Sequence, residues 1–349
     1  MPRFDPYVKP AMPPVAFVCP SCRQDLEHEK AAYICATCDR RYPILFGIAD
    51  FRQRGDRYLS LEAERDKARK LYEYGRGATF ADLVTYYYAI TDDVSPALAR
   101  RYQAYIHAAP ERGRRILDAL GVGDEIEDKA RPRVLVDVGC GSGGLLLAAA
   151  SRFEAVVGID VALRWLVICA KRFEEAGLGA TLVCAEVGAM PFKQGAFSHA
   201  LAADLMEHVD APAMALRAIA DGLAPQGRLY LSAANKYSLG PHPSVRLWAI
   251  GFLPPPLRRR LVRLLRGVDS LRHVTLLSPW RLARLCRASG LAVVRLAALP
   301  VDPQARRGYP PVDRVLMGVY AALLAIWGVR HLLLLVGPAF EMVCRKKAA

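Results

Sequence analysis

The chain has 349 residues, of which 53% are hydrophobic, so it can bury one large core and still form smaller additions. Its formal net charge of +14 indicates an acidic partner, but it does not choose between lipid headgroups and RNA phosphates. The sequence shows no signal peptide and an odd total of 9 cysteines, which argues against a secreted, disulfide-bonded protein and favours a reducing compartment.

Two Cys-x-x-Cys pairs lie near the start of the chain. Cys19 and Cys22 form the first pair, Cys35 and Cys38 form the second, and a twelve-residue loop separates them. Two such turns can each present two thiolates to one ion, and four sulfur ligands leave no position for a catalytic water. We therefore predict a structural Zn²⁺ site, and disulfide pairing is the competing interpretation.

The segment after the second pair, RRYPILFGIADF at 40–51, resembles that of short zinc ribbons, and we assign residues 1–54 to such a ribbon. A charged segment at 60–74, a tyrosine cluster at 86–88 and helical spacing up to residue 120 follow it. These patterns predict helices. We expect residues 55–130 to link the ribbon to a core and to cover a ligand cleft.

The most informative stretch is VLVDVGCGSGG at 134–144, an apolar run that ends in a glycine-rich turn before a second apolar run at 145–150. Gly139, Gly141 and Gly143 allow backbone torsions that a Cβ would forbid, and they let the chain come close to a ligand. The pattern therefore predicts a strand, a ligand-binding turn and a helix.

Two acidic residues accompany this turn. Asp137 precedes it, and Asp160 ends the next apolar run, 155–160. Both are expected at the carboxyl ends of parallel strands, where open α/β sheets bind ligands, and an acid after the second strand suits a ribose diol. Dinucleotide enzymes also use such an acid, but two residues separate the last two glycines of their pattern, whereas one residue separates them here.

The motif DVGCGSG at 137–143 resembles the first motif of class I S-adenosylmethionine-dependent methyltransferases. Residues 181–192 are similar to the third-strand motif of that family, in which an acid contacts the adenine amino group, and Glu186 here takes the place of the commoner Asp. Residues 199–209 resemble the fourth strand with the signature that follows it, and residues 223–232 resemble the fifth strand. The resemblance covers roughly residues 115–299.

The resemblance implies an α/β fold in residues 131–349: a seven-stranded, mostly parallel Rossmann-like sheet with helices on both faces. It implies S-adenosylmethionine as the cofactor. Zinc ribbons occur as separate partners of such methyltransferases or fused to their N-termini. A dehydrogenase or a nonbinding α/β domain is the alternative, which the order and spacing of four motifs disfavour. The residues expected to contact the cofactor are Asp137, Gly139, Cys140, Gly141, Gly143, Asp160, Val161, Glu186, Val187 and Asp204.

Two insertions extend the predicted core on its C-terminal side, at residues 235–277 and 300–337. The first contains leucines and arginines at helical spacing, which predict a basic amphipathic helix that suits an anionic membrane surface. Its leucines are Leu257, Leu261, Leu264 and Leu265, and its arginines are Arg258, Arg259, Arg263 and Arg266. Residues 235–254 are also loosely similar to an insertion of methyltransferases that act in lipid-linked or cell-envelope glycan pathways.

The second insertion contains an apolar run at 315–336, close to the roughly twenty residues that a bilayer requires. Spanning is not expected, because the last strand, 339–345, must return to the same sheet as the strand at 291–298, and Arg330 with His331 interrupts the apolar run. We expect a helix that dips into one leaflet. A buried helix that covers a hydrophobic substrate channel is the alternative.

These observations predict O-methylation of an amphiphilic acceptor, a lipid or a lipid-linked glycan, by a cytoplasmic enzyme peripheral to the inner membrane face. His208 and His242 are the candidate general bases for an acceptor hydroxyl. An rRNA or tRNA base methyltransferase is the alternative, because the fused ribbon and the many arginines also suit RNA. A noncatalytic methyltransferase-like scaffold is a third interpretation.

Overall fold

A computed structural model describes residues 15–55, 59–92, 94–122, 132–242, 245, 247–267, 271, 273–301, 306 and 311–348. The described residues form two compact units. The first contains those up to Ala200 together with 221–224, and the second contains 201–220 and those from Pro225 onward. The expected division into ribbon, helical linker and core stays a prediction, and the linker's end at residue 130 lies outside the described residues.

The first unit begins with a small antiparallel ribbon in which neighbouring strands pair in chain order. Its strands are β1 (Glu27–Glu29), β2 (Ala32–Cys35), β3 (Arg40–Leu45) and β4 (Ile48–Asp50). Phe46 and Gly47 join β3 to β4 with φ values of 53° and 75°. Positive φ at both central residues is the signature of a tight two-residue hairpin, whose twist matches that of the strands.

Four helices follow the ribbon, as the sequence predicts. They are α1 (Leu61–Gly75), α2 (Phe80–Ala89), α3 (Pro96–His107) and α4 (Ala109–Leu120). Ser60, Thr79 and Ser95 cap the first three, each accepting a hydrogen bond from a backbone N–H of the first turn. Asp82 accepts in return from the backbone of Thr79, which completes a capping box.

Strands and helices then alternate through the rest of the first unit. The elements are β5 (Val134–Val138), α5 (Gly144–Ala149), β6 (Ala155–Asp160), α6 (Leu163–Ala176) and β7 (Thr181–Cys184). β5 pairs in parallel with β6, and β6 pairs in parallel with β7. Every residue of β5 is buried, as expected for a parallel strand covered on both faces.

The second unit starts within β8 and contains an antiparallel arrangement in which β11 lies between β9 and β10. The strands are β8 (Phe197–Ala203), β9 (Leu223–Ala234), β10 (Leu291–Ala298) and β11 (Ala339–Lys346). The helices are α7 (Pro212–Gly222), α8 (Pro255–Arg266), α9 (Pro279–Ala288), α10 (Pro311–Ala325) and α11 (Trp327–Val336).

The expected Rossmann-like strand arrangement is present, but the expected count of seven strands is wrong. The sheet has 11 strands in the order β1-β2-β3-β4-β7-β6-β5-β8-β9-β11-β10. The last strand of the ribbon pairs in parallel with β7, through Ala49 opposite Val183 and Asp50 opposite Cys184. This pairing satisfies the backbone groups that β7 would otherwise present as a free edge, so the ribbon extends the sheet.

In the described part of the second insertion, two helices take the place of the apolar run. Ile326, with an extended backbone at φ −85° and ψ 116°, separates α10 from α11. Arg330 and His331 lie inside α11, so the break in the helix comes before the charged pair. Among the described residues, no helix combines the length and the apolar character that crossing a bilayer would require.

Candidate functional site

The glycine-rich turn between β5 and α5 has the torsions that its sequence predicts. Gly139, Gly141 and Gly143 have φ values of 77°, 50° and 73°, in the region that side chains with a Cβ rarely adopt. The backbone N–H groups of Gly139 and Cys140 donate to the carbonyl of Ile159 at 2.8 and 3.0 Å. The turn is therefore fixed to the end of β6.

Asp160 joins this turn to the start of α6. Its Oδ2 accepts from the N–H of Gly141 at 2.9 Å, and its Oδ1 accepts from the N–H of Ala162 at 2.8 Å. The carboxylate is thereby held in place before any ligand binds. A carboxylate is an acceptor of the kind that the hydroxyls of a ribose diol require.

Asp137 lies in the same unit but in a different environment. The side chain is 2% exposed, and burial, reinforced by the negative charge of Asp160, raises its pKa to about 7. Asp137 therefore exchanges its proton near neutral pH. A cationic ligand group beside it would favour the ionised form.

The residues after β6 and β7 come together because these strands are neighbours in parallel register. The N–H of Ala185 donates to the carbonyl of Asp160 at 3.1 Å, which brings the predicted adenine residue Glu186 to the same sheet end. The carbonyl of Val161 accepts from Arg52 at 3.0 Å, and Val187 begins a short 3₁₀ turn. Their assignment to the cofactor stays a prediction.

Asp204, the remaining predicted cofactor residue, lies in the second unit directly after β8. Its φ of 53° is in the left-handed region, which is uncommon for a residue other than glycine. Ser232 holds this conformation: its carbonyl accepts from the Asp204 N–H at 3.0 Å, and its Oγ donates to Asp204 Oδ1 at 2.8 Å. These contacts fix the Asp204 backbone and carboxylate at the end of β8.

The second unit also carries both candidate bases, in different surroundings. His208 is exposed, whereas His242 is buried. Burial, with the nearby charges of Arg258 and His208, lowers the pKa of His242 to about 4. His242 is therefore neutral at neutral pH and able to accept a proton, although its low pKa makes it a weak base.

The sequence did not reveal that Glu207 lies in the interior. Its Oε1 accepts from the N–H of Ala234 at 3.2 Å, and burial, with the charge of Asp204, raises its pKa to about 8. Arg258 is likewise buried, although its place in a basic helix suggested a surface position. A helical pattern shows which residues share a face, but not which face packs inward.

The amphipathic helix α8 packs through Arg258 and Val262 and leaves three of its leucines exposed. Val262 is fully buried, while Leu264 is 78% exposed and Leu257 and Leu265 are about half exposed. Helix α10 also exposes apolar side chains: Asp313 is its only buried residue, whereas Val312 and Val315 are exposed. The structure thus exposes the apolar faces of both insertions.

The four ribbon cysteines meet the geometric requirement for a tetrahedral ion. Their Sγ atoms all lie within 4.8 Å of one another, with separations of 3.5 Å for Cys19 and Cys38, 3.4 Å for Cys22 and Cys35, and 3.8 Å for Cys22 and Cys38. In a tetrahedral site with Zn–S bonds of about 2.3 Å, neighbouring sulfurs are about 3.8 Å apart. A disulfide would require about 2.05 Å. The donor set therefore fits Zn²⁺.

Comparison with known proteins identifies relatives of this region. The family model described as a methyltransferase domain matches residues 136–231. The chain is 30% identical over 174 residues to the ubiquinone biosynthesis O-methyltransferase of Azotobacter vinelandii, covering 49% of this chain and 70% of the relative. It is 26% identical over 185 residues to the enzyme of the same description from Idiomarina loihiensis, covering 53% and 72%.

Among solved structures, the chain is similar to phosphoethanolamine N-methyltransferase 2 of Haemonchus contortus in complex with S-adenosyl-L-methionine. The TM-score is 0.46 and the sequences are 14% identical. The match covers 78% of this chain and 61% of that one.

Proposed function

Because the chain belongs to the class I S-adenosylmethionine-dependent methyltransferases, we propose that it methylates an oxygen of an amphiphilic acceptor, a lipid or lipid-linked glycan, at an anionic membrane surface. The exposed apolar faces of α8 and α10 carry this proposal. The description of two relatives as O-methyltransferases supports oxygen as the acceptor atom.

The proposed cofactor site is the glycine turn with the ends of β6 and β7. Bound S-adenosylmethionine would supply an activated methyl group on a sulfonium centre. Asp160 would accept from the ribose hydroxyls and Glu186 from the adenine amino group, while the glycine turn leaves room for the amino acid portion. The assignment of Asp204 to the cofactor stays a prediction.

The proposed reaction is an in-line displacement. The acceptor oxygen forms a bond to the methyl carbon while the carbon–sulfur bond breaks, leaving S-adenosylhomocysteine, and the hydroxyl proton passes to a base. Positioning of the two reactants supplies most of the acceleration in such a reaction. His208 or His242 is the proposed proton acceptor.

The distribution of exposed apolar residues supports attachment to a membrane. In the described part of the chain, all large hydrophobic side chains that are exposed lie in the second unit except Tyr74, Tyr105 and Leu178. Exposed apolar side chains that are concentrated in one region are typical of an interaction site. The arginines of α8 favour an anionic partner. We propose peripheral binding, with α8 and α10 in the interface and Zn²⁺ as a structural ion of the ribbon.

Co-sedimentation with vesicles of phosphatidylglycerol and phosphatidylcholine tests this proposal. The test variant combines Leu257→Ser, Leu264→Ser and Leu265→Ser, which replace the three exposed leucines of α8. The control variant is Leu178→Ser, which replaces an exposed leucine of the first unit. We expect the triple variant to lose most of its vesicle binding and the control to keep it. Equal vesicle binding by the triple variant and the control would overturn the membrane proposal. Retention of the protein on bulk RNA at physiological salt, without any vesicle binding, would also overturn it and would favour an RNA substrate.

A further inference from the structure

A buried ion pair lies where the ribbon joins the sheet. Asp50, the last residue of β4, receives two hydrogen bonds from the guanidinium of Arg52, at 2.8 and 2.9 Å, and one from Arg65 at 3.1 Å. The side chains of Asp50 and Arg52 are both fully buried. Burial alone would raise the pKa of Asp50, but Arg52 and Arg65 outweigh it and hold that pKa below its ordinary value.

The third guanidinium nitrogen of Arg52, Nη1, connects this ion pair to the predicted cofactor site. Its Nη1 donates to the carbonyl of Val161 at 3.0 Å, in the turn after β6 that begins with Asp160. The next residues of the ribbon segment also reach this region, because Arg54 forms an ion pair with Glu186 at 3.6 Å. Two arginines from the end of the ribbon thus contact two of the predicted cofactor residues, Val161 and Glu186.

Close packing links the cysteine cluster to the same point. The hydroxyl of Tyr42 lies 3.2 Å from the sulfur of Cys19, and the ring centroids of Tyr42 and Phe51 are 5.1 Å apart. Phe51 precedes Arg52, and its N–H donates to the carbonyl of Cys184 at the end of β7 at 2.8 Å. The ribbon is therefore joined to the turn by side-chain packing as well as by hydrogen bonds.

We propose that the ribbon is a working part of the cofactor site, with Arg52 as the positioning residue that fixes the Asp160–Val161 turn and hence the adenosine end of the site. The inference rests on the proposed function, since it assumes that Asp160, Val161 and Glu186 hold the adenosine. Its physical basis is that loss of Arg52 leaves a buried carboxylate with one partner fewer and a carbonyl without its donor.

Calorimetric binding of S-adenosylhomocysteine to the full zinc-loaded chain tests this inference. We expect Arg52→Gln to weaken binding about tenfold, and Arg52→Lys, which keeps the charge but not the planar fork of donors, to recover part of the loss. The matched control is Arg41→Gln, which removes an exposed ion pair with Glu29 in the same ribbon and should leave affinity unchanged.

A second ligand separates positioning of the adenosine from general loosening of the fold. 5′-Methylthioadenosine contains the adenosine but not the amino acid, so Arg52→Gln should weaken its binding by the same factor. A larger loss for S-adenosylhomocysteine than for 5′-methylthioadenosine would place the defect at the glycine turn and overturn the inference. Wild-type affinity for both ligands in a folded Arg52→Gln protein would overturn it too. Absence of binding by the wild-type chain would instead refute the assigned cofactor site.

Discussion

The cofactor turn of the first unit and the insertions of the second unit distribute polar and apolar residues in opposite ways. In the first unit, the buried charges of Asp50 and Arg52 are paired, and strand β5 is fully covered. In the second unit, α10 buries Asp313 and exposes valines and leucines. Folding in water explains the first arrangement, whereas the second is favourable when another apolar phase covers it.

We therefore expect substitutions at the cysteine cluster and the cofactor turn of the first unit to impair stability or cofactor binding, and substitutions of the exposed leucines of α8 to impair neither. The largest effect is expected at the ribbon. Cys35→Ser removes one of four thiolates and should abolish stoichiometric zinc, because structural zinc contributes about 10 kcal/mol or more to the folding of small zinc domains. Elemental mass spectrometry measures the zinc content, and thermal unfolding measures the loss of stability. Cys286→Ser, a substitution outside the four-cysteine cluster, is the control and should keep its zinc. Full zinc occupancy in Cys35→Ser would contradict the four-thiolate site.

A matched pair of glycines provides the next test. A Cβ on Gly143 would collide with the sulfur of Cys169, whereas a Cβ on Gly141 would have no atom within 4 Å, and both residues have positive φ. We expect Gly143→Ala to lose about 3 kcal/mol of unfolding free energy, from overpacking together with backbone strain, and Gly141→Ala about 1 kcal/mol, from strain alone. Urea unfolding measures both. Equal losses would show that the turn relaxes around the added methyl group, and Leu264→Ser should show no loss at all.

Asp160→Ala should leave the fold largely intact but weaken cofactor binding. The substitution removes the acceptor for the N–H groups of Gly141 and Ala162 as well as the proposed ribose contact. We expect S-adenosylhomocysteine to bind about 10- to 100-fold more weakly by calorimetry, the equivalent of one hydrogen bond to a charged group. Leu264→Ser is again the comparison, with wild-type affinity expected. Undiminished affinity in Asp160→Ala would remove this residue from the site.

The glycine turn and its acids were predictable because local sequence determines them. Positive φ favours glycine, and the length of an apolar run indicates where the strand ends and hence which acid lies at that end. The pairing of β4 with β7 was not predictable, since a three-residue strand carries almost no periodic signal. Glu64 illustrates the same limit: it looks like a surface acid of a charged helix, yet it is fully buried and paired with Arg164, one hundred residues away.

The smallest predicted effect is a pH dependence that only the buried cofactor turn should show. Asp137 has a pKa of about 7 in the free protein, raised by burial and by Asp160. The sulfonium and ammonium groups of S-adenosylmethionine would favour its ionised form, so binding should release a proton and become several-fold tighter from pH 6 to 7.5, each unit of pKa lowering allowing at most about tenfold. Calorimetry in buffers of different ionisation enthalpy measures that proton. Asp137→Asn should abolish both the proton release and the slope, and a slope that persists in this variant would assign the titration to another group.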